Sequence, residues 1–338
     1  METKKIGAQT AALANPPTIA GHANVVGKKE GDGPLANSFD FISQDDTFGQ
    51  ASWEKAESSM QKQALSLALD KAGRSAGNLD WLFAGDLLNQ CISSSYAARG
   101  QAIPFFGLYG ACSTMGEGLA LAAMILDGGF GEWAGVCASS HFCSAERQYR
   151  TPLEYGGQRT PTAQWTVTGA GAAVLAREGP GPYITHVTPG KIVDKGIKDA
   201  NNMGAAMTPA AYETIKAHFR DTGRTPDFYD LILTGDLGKL GRELLLELFS
   251  MDGVDLSERH NDCGLLIYDL EGQDVHSGGS GCGCCASVLT GYILNGMREG
   301  RWQNVLFCPT GALHSPTSLC QGESIPGVCH AIAIANTK

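Results

Sequence analysis

Gly107-Leu108-Tyr109-Gly110-Ala111-Cys112-Ser113-Thr114-Met115-Gly116-Glu117-Gly118 is a glycine-rich turn with one cysteine at its crest. An apolar, small-residue run, Leu119 to Leu126, follows at once. A turn that feeds a buried helix sets Cys112 at or near the helix N-terminus. Unpaired backbone N–H groups and the positive end of the helix dipole favour an anion or a thiolate there. Cys112 is therefore a candidate nucleophile or binding residue. The competing reading is a packed thiol, because unpaired cysteine behaves most often as a small buried hydrophobe.

The sequence around that turn repeats. Leu79 to Asp86 (LDWLFAGD) has a counterpart in Tyr229 to Asp236 (YDLILTGD), with Gly85 and Gly235 standing 150 apart. Gly110-Ala111-Cys112 matches Gly278-Gly279-Ser280, and Ile125-Leu126-Asp127-Gly128 matches Ile293-Leu294-Asn295-Gly296, both 168 apart. Trp133 answers Trp302, and a strand ending at His141 answers one ending at His314. Element order, apolar runs and turn residues recur together, which implies an internally duplicated α/β fold. Cys112 and Ser280 are then related positions on two turns that face each other near a pseudo-twofold axis. A cleft where two halves meet is a natural ligand site.

Coarse periodicity fills in the rest. Thr18 to Val26 reads as a first strand. Ser52 to Ala72 reads as an amphipathic helix capped by Ser52, with Trp53, Ala56, Met60, Ala64, Leu67 and Ala68 on one face. Leu79 to Ala84, Trp133 to Ser139, Thr166 to Ala176 and Val328 to Ala335 read as core strands. Met1 to Pro17 reads as a loose leader. It lacks the sustained apolar core of a signal peptide, and no run is long and apolar enough for a spanning helix.

The 338 residues carry a net charge of −10 and include 44 glycines and 11 cysteines. The acidic balance argues against a nucleic-acid footprint. An odd, scattered set of cysteines reads as a reduced chain and not as a disulfide framework. Cys282, Cys284 and Cys285 lack a partner cluster at zinc-ligand spacing, so they read as small residues at a crowded helix start. No cofactor or metal is expected.

A duplicated α/β unit with a cysteine at the crest of a Gly-x-Cys-Ser turn resembles the thiolase and ketoacyl-synthase fold. The resemblance implies a thiolase-like, five-layer α-β-α-β-α architecture with halves at residues 18–178 and 182–338. In that family the cysteine attacks an acyl thioester with the help of histidine or asparagine residues near two places in the second half. Here the first place reads Thr234-Gly235-Asp236-Leu237-Gly238 and the second reads His276-Ser277-Gly278-Gly279-Ser280. Gly235 and Gly279 stand where polar side chains are expected. The condensing machinery is thus expected to be absent and the cleft to be roomier.

Longer stretches carry a second resemblance. Gly110 to Met115, Arg147 to Trp165 (RQYRTPLEYGGQRTPTAQW), Thr310 to Thr317 (TGALHSPT) and Gln321 to Gly327 (QGESIPG) resemble the stage V sporulation protein AD family of endospore-forming bacteria. That resemblance implies a protein that is not an enzyme. It implies binding of dipicolinic acid (pyridine-2,6-dicarboxylate) or its calcium chelate, for import into the developing spore. It also implies membrane-protein partners encoded in the same operon, a cytoplasmic protein peripheral to the spore inner membrane, and a homodimer joined along the strand before Cys112. The cysteine richness at Cys282 to Cys285 departs from what the family leads one to expect. The alternative is an acyltransferase or condensing enzyme with Cys112 as nucleophile.

Dipicolinate is a flat dianion, so its site needs donors or cations at two ends. N–H groups after Cys112 are candidates for one end. Arg147, Arg150 and Arg159 are candidates for the other, because a guanidinium grips a carboxylate with two parallel bonds. Their segment, rich in Gly and Pro, reads as a long loop. Against this, the arginines pair equally well with Glu146 and Glu154 on the surface. Glu117, one turn into the helix, is a candidate pocket residue or a dipole-complementing one. Asp236 adjoins the vacated position, and Gly235, Gly279 and Ser280 border the same space. His141 and His314 close equivalent strands, and Glu323 and Ser324 precede the last strand; all four are candidates to line the cleft.

Overall fold

The computed structural model describes residues 3–149 and 159–338. Strands β1 (Thr18–Val26), β2 (Trp81–Gly85), β3 (Phe105–Leu108), β4 (Trp133–Ser140) and β5 (Gly169–Ala176) form one leaf in the order β3-β2-β4-β5-β1. Strands β6 (Tyr183–Thr188), β7 (Leu231–Thr234), β8 (His260–Asp262), β9 (Asn304–Cys308) and β10 (Ala331–Ala335) form the other as β8-β7-β9-β10-β6. The two orders are the same when each strand is matched to the one five places later. The leaves join edge to edge at the Thr18–Tyr183 pair.

Side-chain alternation assigns the layers, because successive strand residues face opposite sides. On β10, Ile332 and Ile334 join the core between the leaves, while Ala331 and Ala333 join the outer core of the second leaf. Helix α1 (Trp53–Lys71) covers the outside of the first leaf with Met60, Ala64, Leu65, Ala68 and Leu69. The Ser52 side chain caps it by accepting from Lys55 N–H. Between the leaves lie α2 (Thr114–Asp127) and, after α3 (Phe142–Tyr149) and α4 (Met203–Thr222), a further helix from Cys282. Helices α4 and α5 (Gly238–Met251) cover the outside of the second leaf, crossing where Gly204 meets Gly241. Helix α6 (Cys282–Val288) runs into a π turn, Leu289–Ile293, which α2, its counterpart in the first half, lacks. The result is the five-layer α-β-α-β-α stack.

Close approach explains the small residues at the start of α6. A Cβ on Gly283 would sit 2.4 Å from the Gly169 carbonyl oxygen, and one on Gly171 would sit 2.4 Å from the Ala286 carbonyl oxygen. Cys282, Cys284 and Cys285 are fully buried in this crowded contact. Among the described residues no group of three or more His, Cys, Asp or Glu side chains is placed to hold a metal ion. Nor is any helix among them long and apolar enough to cross a membrane.

Two readings of the sequence need correction. The N-terminal stretch is not a loose leader. Thr10–Ala12 is a strand paired with β6, and the buried Asp221 carboxylate accepts from Gln9 N–H, Thr10 N–H and the Thr10 hydroxyl. The segment from Arg147 does not begin as loop either: Arg147 lies on α3, inside the helical range Phe142–Tyr149.

Candidate functional site

Cys112 lies in a single 3-10 turn, Ala111–Ser113, between β3 and α2. Ala111 adopts φ +49, a left-handed conformation that turns the chain sharply into the helix. Gly311 passes over this turn, and a Cβ there would lie 3.1 Å from Ser113 N and 3.3 Å from Cys112 N. The Ser113 N–H is already given to the Gly110 carbonyl, so it is not available to a ligand.

The second-half turn meets the first as the repeat implies. The Cys112 thiol and the Ser280 hydroxyl stand 4.0 Å apart. Ser280 donates to Asp236 Oδ2 at 2.9 Å, Gly281 N–H donates to the same oxygen at 3.1 Å, and Thr310 donates to Asp236 Oδ1 at 2.8 Å. Asp236 is fully buried. Burial pushes its carboxyl up to about 6, against the pull of its hydrogen bonds. Asp262 holds the neighbouring turn by accepting from Leu237, Gly238 and Gly264 N–H.

This environment reverses the expectation of a thiolate. Burial, and then the Asp236 carboxylate, push the Cys112 thiol well above its ordinary value. A helix end contributes at most a couple of kcal/mol, and here it is outweighed by desolvation and a neighbouring negative group. Cys112 is a protonated thiol.

A cavity of about 110 Å³ opens in front of it. One water needs roughly 10–15 Å³ by that measure, so the space takes on the order of ten non-hydrogen atoms, a single-ring compound. Leu87, Met203, Met207 and Ala312 supply apolar walls. Tyr109 gives its hydroxyl proton to Tyr149 at 2.7 Å, and Tyr149 gives its own to the Leu87 carbonyl. The His314 ring lies 5.6 Å from that of Tyr149. Gln164 closes the floor by donating to the carbonyls of Asp236 and Gly279 at 2.6 and 3.0 Å.

The sequence matches the family described as Stage V sporulation protein AD (SpoVAD) over residues 7–335. It is 45% identical over 329 residues to "Stage V sporulation protein AD" of Bacillus subtilis (strain 168), covering 97% of each chain. The chain belongs to the stage V sporulation protein AD family. Solved structures carry the same fold at low identity. The 3-oxoacyl-[acyl-carrier-protein] synthase III of Aquifex aeolicus VF5 matches at TM-score 0.57 and 14% identity, over 94% of this chain and 99% of its own. An OleA variant of Xanthomonas campestris matches at 0.61 and 14%, over 96% and 99%. The fold is thus thiolase-like.

Against this family background, Cys112, Ser280 and His314 line the cavity together. Asp236 stands behind Ser280, one hydrogen bond away. Gly235 and Gly279 do not line it. A Cβ on Gly235 would press on Pro309 and Thr310, and one on Gly279 on Ile267 and Cys284, so both are glycine for packing. Arg147 turns away to pair with Glu54. Arg159 is clamped by the Asp274 carboxylate at 2.7 Å and lies 4.6 Å over the Trp165 ring. Arg150 falls outside the described residues. Among the described lining residues there is no arginine or lysine.

Glu117 sits behind the turn and would lie 2.8 Å from a Cβ on Gly110, outside the cavity lining. His141 is buried elsewhere, bonded to the Asp46 carbonyl at 2.7 Å, and burial lowers its basicity. Glu323 is exposed, and Ser324 donates to Asp194 on the surface. His276 is engaged with Asp274 at 3.3 Å. Leu87, Tyr149, Gln164, Met207 and Ala312 are lining residues that sequence reasoning did not assign to the site. Ala312, two residues before His314, and Tyr149 and Gln164, inside Arg147 to Trp165, lie in stretches already singled out; Leu87 and Met207 carried no signal.

Proposed function

We propose that this chain binds dipicolinic acid, free or as its calcium chelate, without chemical turnover. It does so as the non-spanning component of a system that imports dipicolinate into the developing spore. Its partners in this reading are membrane proteins of the same operon at the spore inner membrane, and a second copy of the chain. Family membership supports the setting. The observation that carries the reading is the fate of the protons around Cys112. The Ser280 hydroxyl beside the thiol already gives its proton to Asp236, and that carboxylate raises the thiol further. Acyl transfer needs a base to take the thiol proton and a donor for the oxyanion. The turn instead opens on a single-ring cavity whose described lining includes Glu146 but no arginine or lysine. The calcium chelate, whose carboxylates are already neutralised by the metal, suits a lining without described cationic side chains.

Calorimetry with dipicolinate and with preformed calcium dipicolinate tests this. Binding is expected for the wild type and lost in Ala312→Phe, which fills the cavity. If neither form binds at millimolar concentration, the proposal fails.

One observation favours a second reading, a condensing enzyme: His314 lines the same cavity as Cys112. Incubation with acyl thioesters followed by mass spectrometry separates the two. Acylation of Cys112 with turnover, abolished by His314→Ala, would establish the enzyme.

A further inference from the structure

A second cleft, of about 230 Å³, lies at the opposite end of the second leaf. The Cys112 cavity sits beyond the C-terminal ends of β7 and β9, where Asp236 and Ala312 follow. This cleft sits where those strands begin, at Tyr229 and Asn304. It is lined by Arg224, Lys338, His186, Phe228 and Asn304 among others, and no lining residue is Asp or Glu. That is notable in a chain of net charge −10.

Arg224 is the centre of the cleft. Its guanidinium lies 4.1 Å from the Phe228 ring centroid, and one N–H is given to the Tyr229 hydroxyl at 3.0 Å. That bond is the start of a buried chain with a fixed direction. Tyr229 accepts from Arg224 and gives its own proton to His218 Nε2, the direction that the far end of the chain sets. His218, pushed down to about 3 mainly by burial, is neutral and carries its proton on Nδ1, which faces Thr188 at 2.8 Å. Thr188 passes its proton to Thr10 at 2.9 Å, and Thr10 donates to the Asp221 carboxylate at 3.2 Å. The carboxylate only accepts and each hydroxyl has one proton to give, so with a neutral imidazole the Asp221 end dictates every step back to Tyr229.

This chain holds the Arg224 fork in place and uses one of its five N–H donors. None of the described carboxylates pairs with Arg224, although partly buried charges are ordinarily paired. Burial, and next the Arg224 charge, hold His186 down at about 4. The Lys338 ammonium stands 5.0 Å over the Tyr183 ring. The arrangement is a pre-positioned guanidinium on an aromatic bed, with a second cationic side chain in the same lining and no Asp or Glu side chain among the described lining residues.

We propose that this cleft is a second ligand site, which takes the carboxylate or phosphate group of a small metabolite on Arg224 and Lys338. Both groups present the oxygen pair that a guanidinium fork matches.

The test is a titration of the intact chain with sodium phosphate and, separately, sodium acetate. Ionic strength is held constant with sodium chloride, and the His186 ring is followed by NMR. A saturable shift of the His186 ring is expected with one of the two anions. Lys338→Ala weakens it roughly tenfold, the loss of one charge-assisted bond, and Arg224→Gln abolishes it. Response to phosphate alone, or to acetate alone, assigns the ligand class. The shift must survive in Ala312→Phe, which keeps this site separate from the Cys112 cavity. A shift that follows chloride equally, an absent shift in the wild type, or an undiminished one in Lys338→Ala overturns the proposal; the first two of these need no variant to fold.

Discussion

Asp236→Asn isolates the electrostatic cost of the carboxylate buried behind Ser280. The Asp236 carboxyl sits at about 6 in the folded chain against an ordinary 3.8. At about 1.36 kcal/mol per unit, that gap makes its ionisation cost on the order of 3 kcal/mol of folding stability. The sign follows from proton counting. Between the two values the folded chain holds the proton and the unfolded chain has lost it, so stability falls as pH rises through this window. The cost is complete above the folded value and absent below the unfolded one. Between about pH 4.5 and pH 8 the expected change is ~2 kcal/mol. Asparagine cannot ionise, so its profile lacks that slope, whatever constant offset its altered hydrogen bonds introduce. Urea unfolding of both proteins at the two pH values measures the difference of differences, in which titrating groups that do not interact with Asp236 cancel. Wild type is expected to lose ~2 kcal/mol relative to the variant on going to pH 8. Parallel profiles, or a relative gain for wild type with rising pH, would refute a carboxyl raised by burial.

Two further outcomes follow from the packing. Gly171→Ala drives a Cβ to 2.4 Å from the Ala286 carbonyl oxygen, splitting α6 from the first leaf; a loss of roughly 1–3 kcal/mol or more is expected in thermal melts, and an unchanged melting temperature would contradict the contact. Along edge strand β3 and just after it, Phe106 is 47% exposed and Tyr109 43% exposed. If that edge pairs two copies of the chain, Phe106→Glu converts a dimer to a monomer in sedimentation experiments, while a dimer that survives the change must use another surface.

The repeat made most of the fold legible because it is written in punctuation. Gly85-Asp86 and Gly235-Asp236 end strands β2 and β7, and helices α2 and α6 begin at Thr114 and Cys282, as far apart as Cys112 and Ser280. Ser52 was readable as a cap because its partner is three residues away. The N-terminal strand was not readable, because Thr10 owes its place to Asp221, 211 residues on. The same holds for the site. Cys112, Ser280 and His314 came from the repeat. Arg159 was assigned to the ligand because Asp274, its actual partner, stands 115 residues later in sequence. Gln164 and Ala312 meet across the cavity only through the fold. The Cys112 turn was found, but the charge state of its thiol depends on Asp236, whose position behind Ser280 no local pattern encodes.

The inner layer bears on how such a chain could arise. Helix α6 belongs to the second half, yet Ala286 lies against Gly171 of the first leaf; α2 belongs to the first half, yet Gly116 abuts Pro309 and His330 of the second. The first leaf is covered from within by a helix of each half, and α2 also reaches across to touch the second. A lone ancestral unit would have bared that apolar face to water and would have had to assemble with a twin. Within one chain that partnership is permanent, and the two facing crests differ, one carrying sulfur at Cys112 and the other oxygen at Ser280.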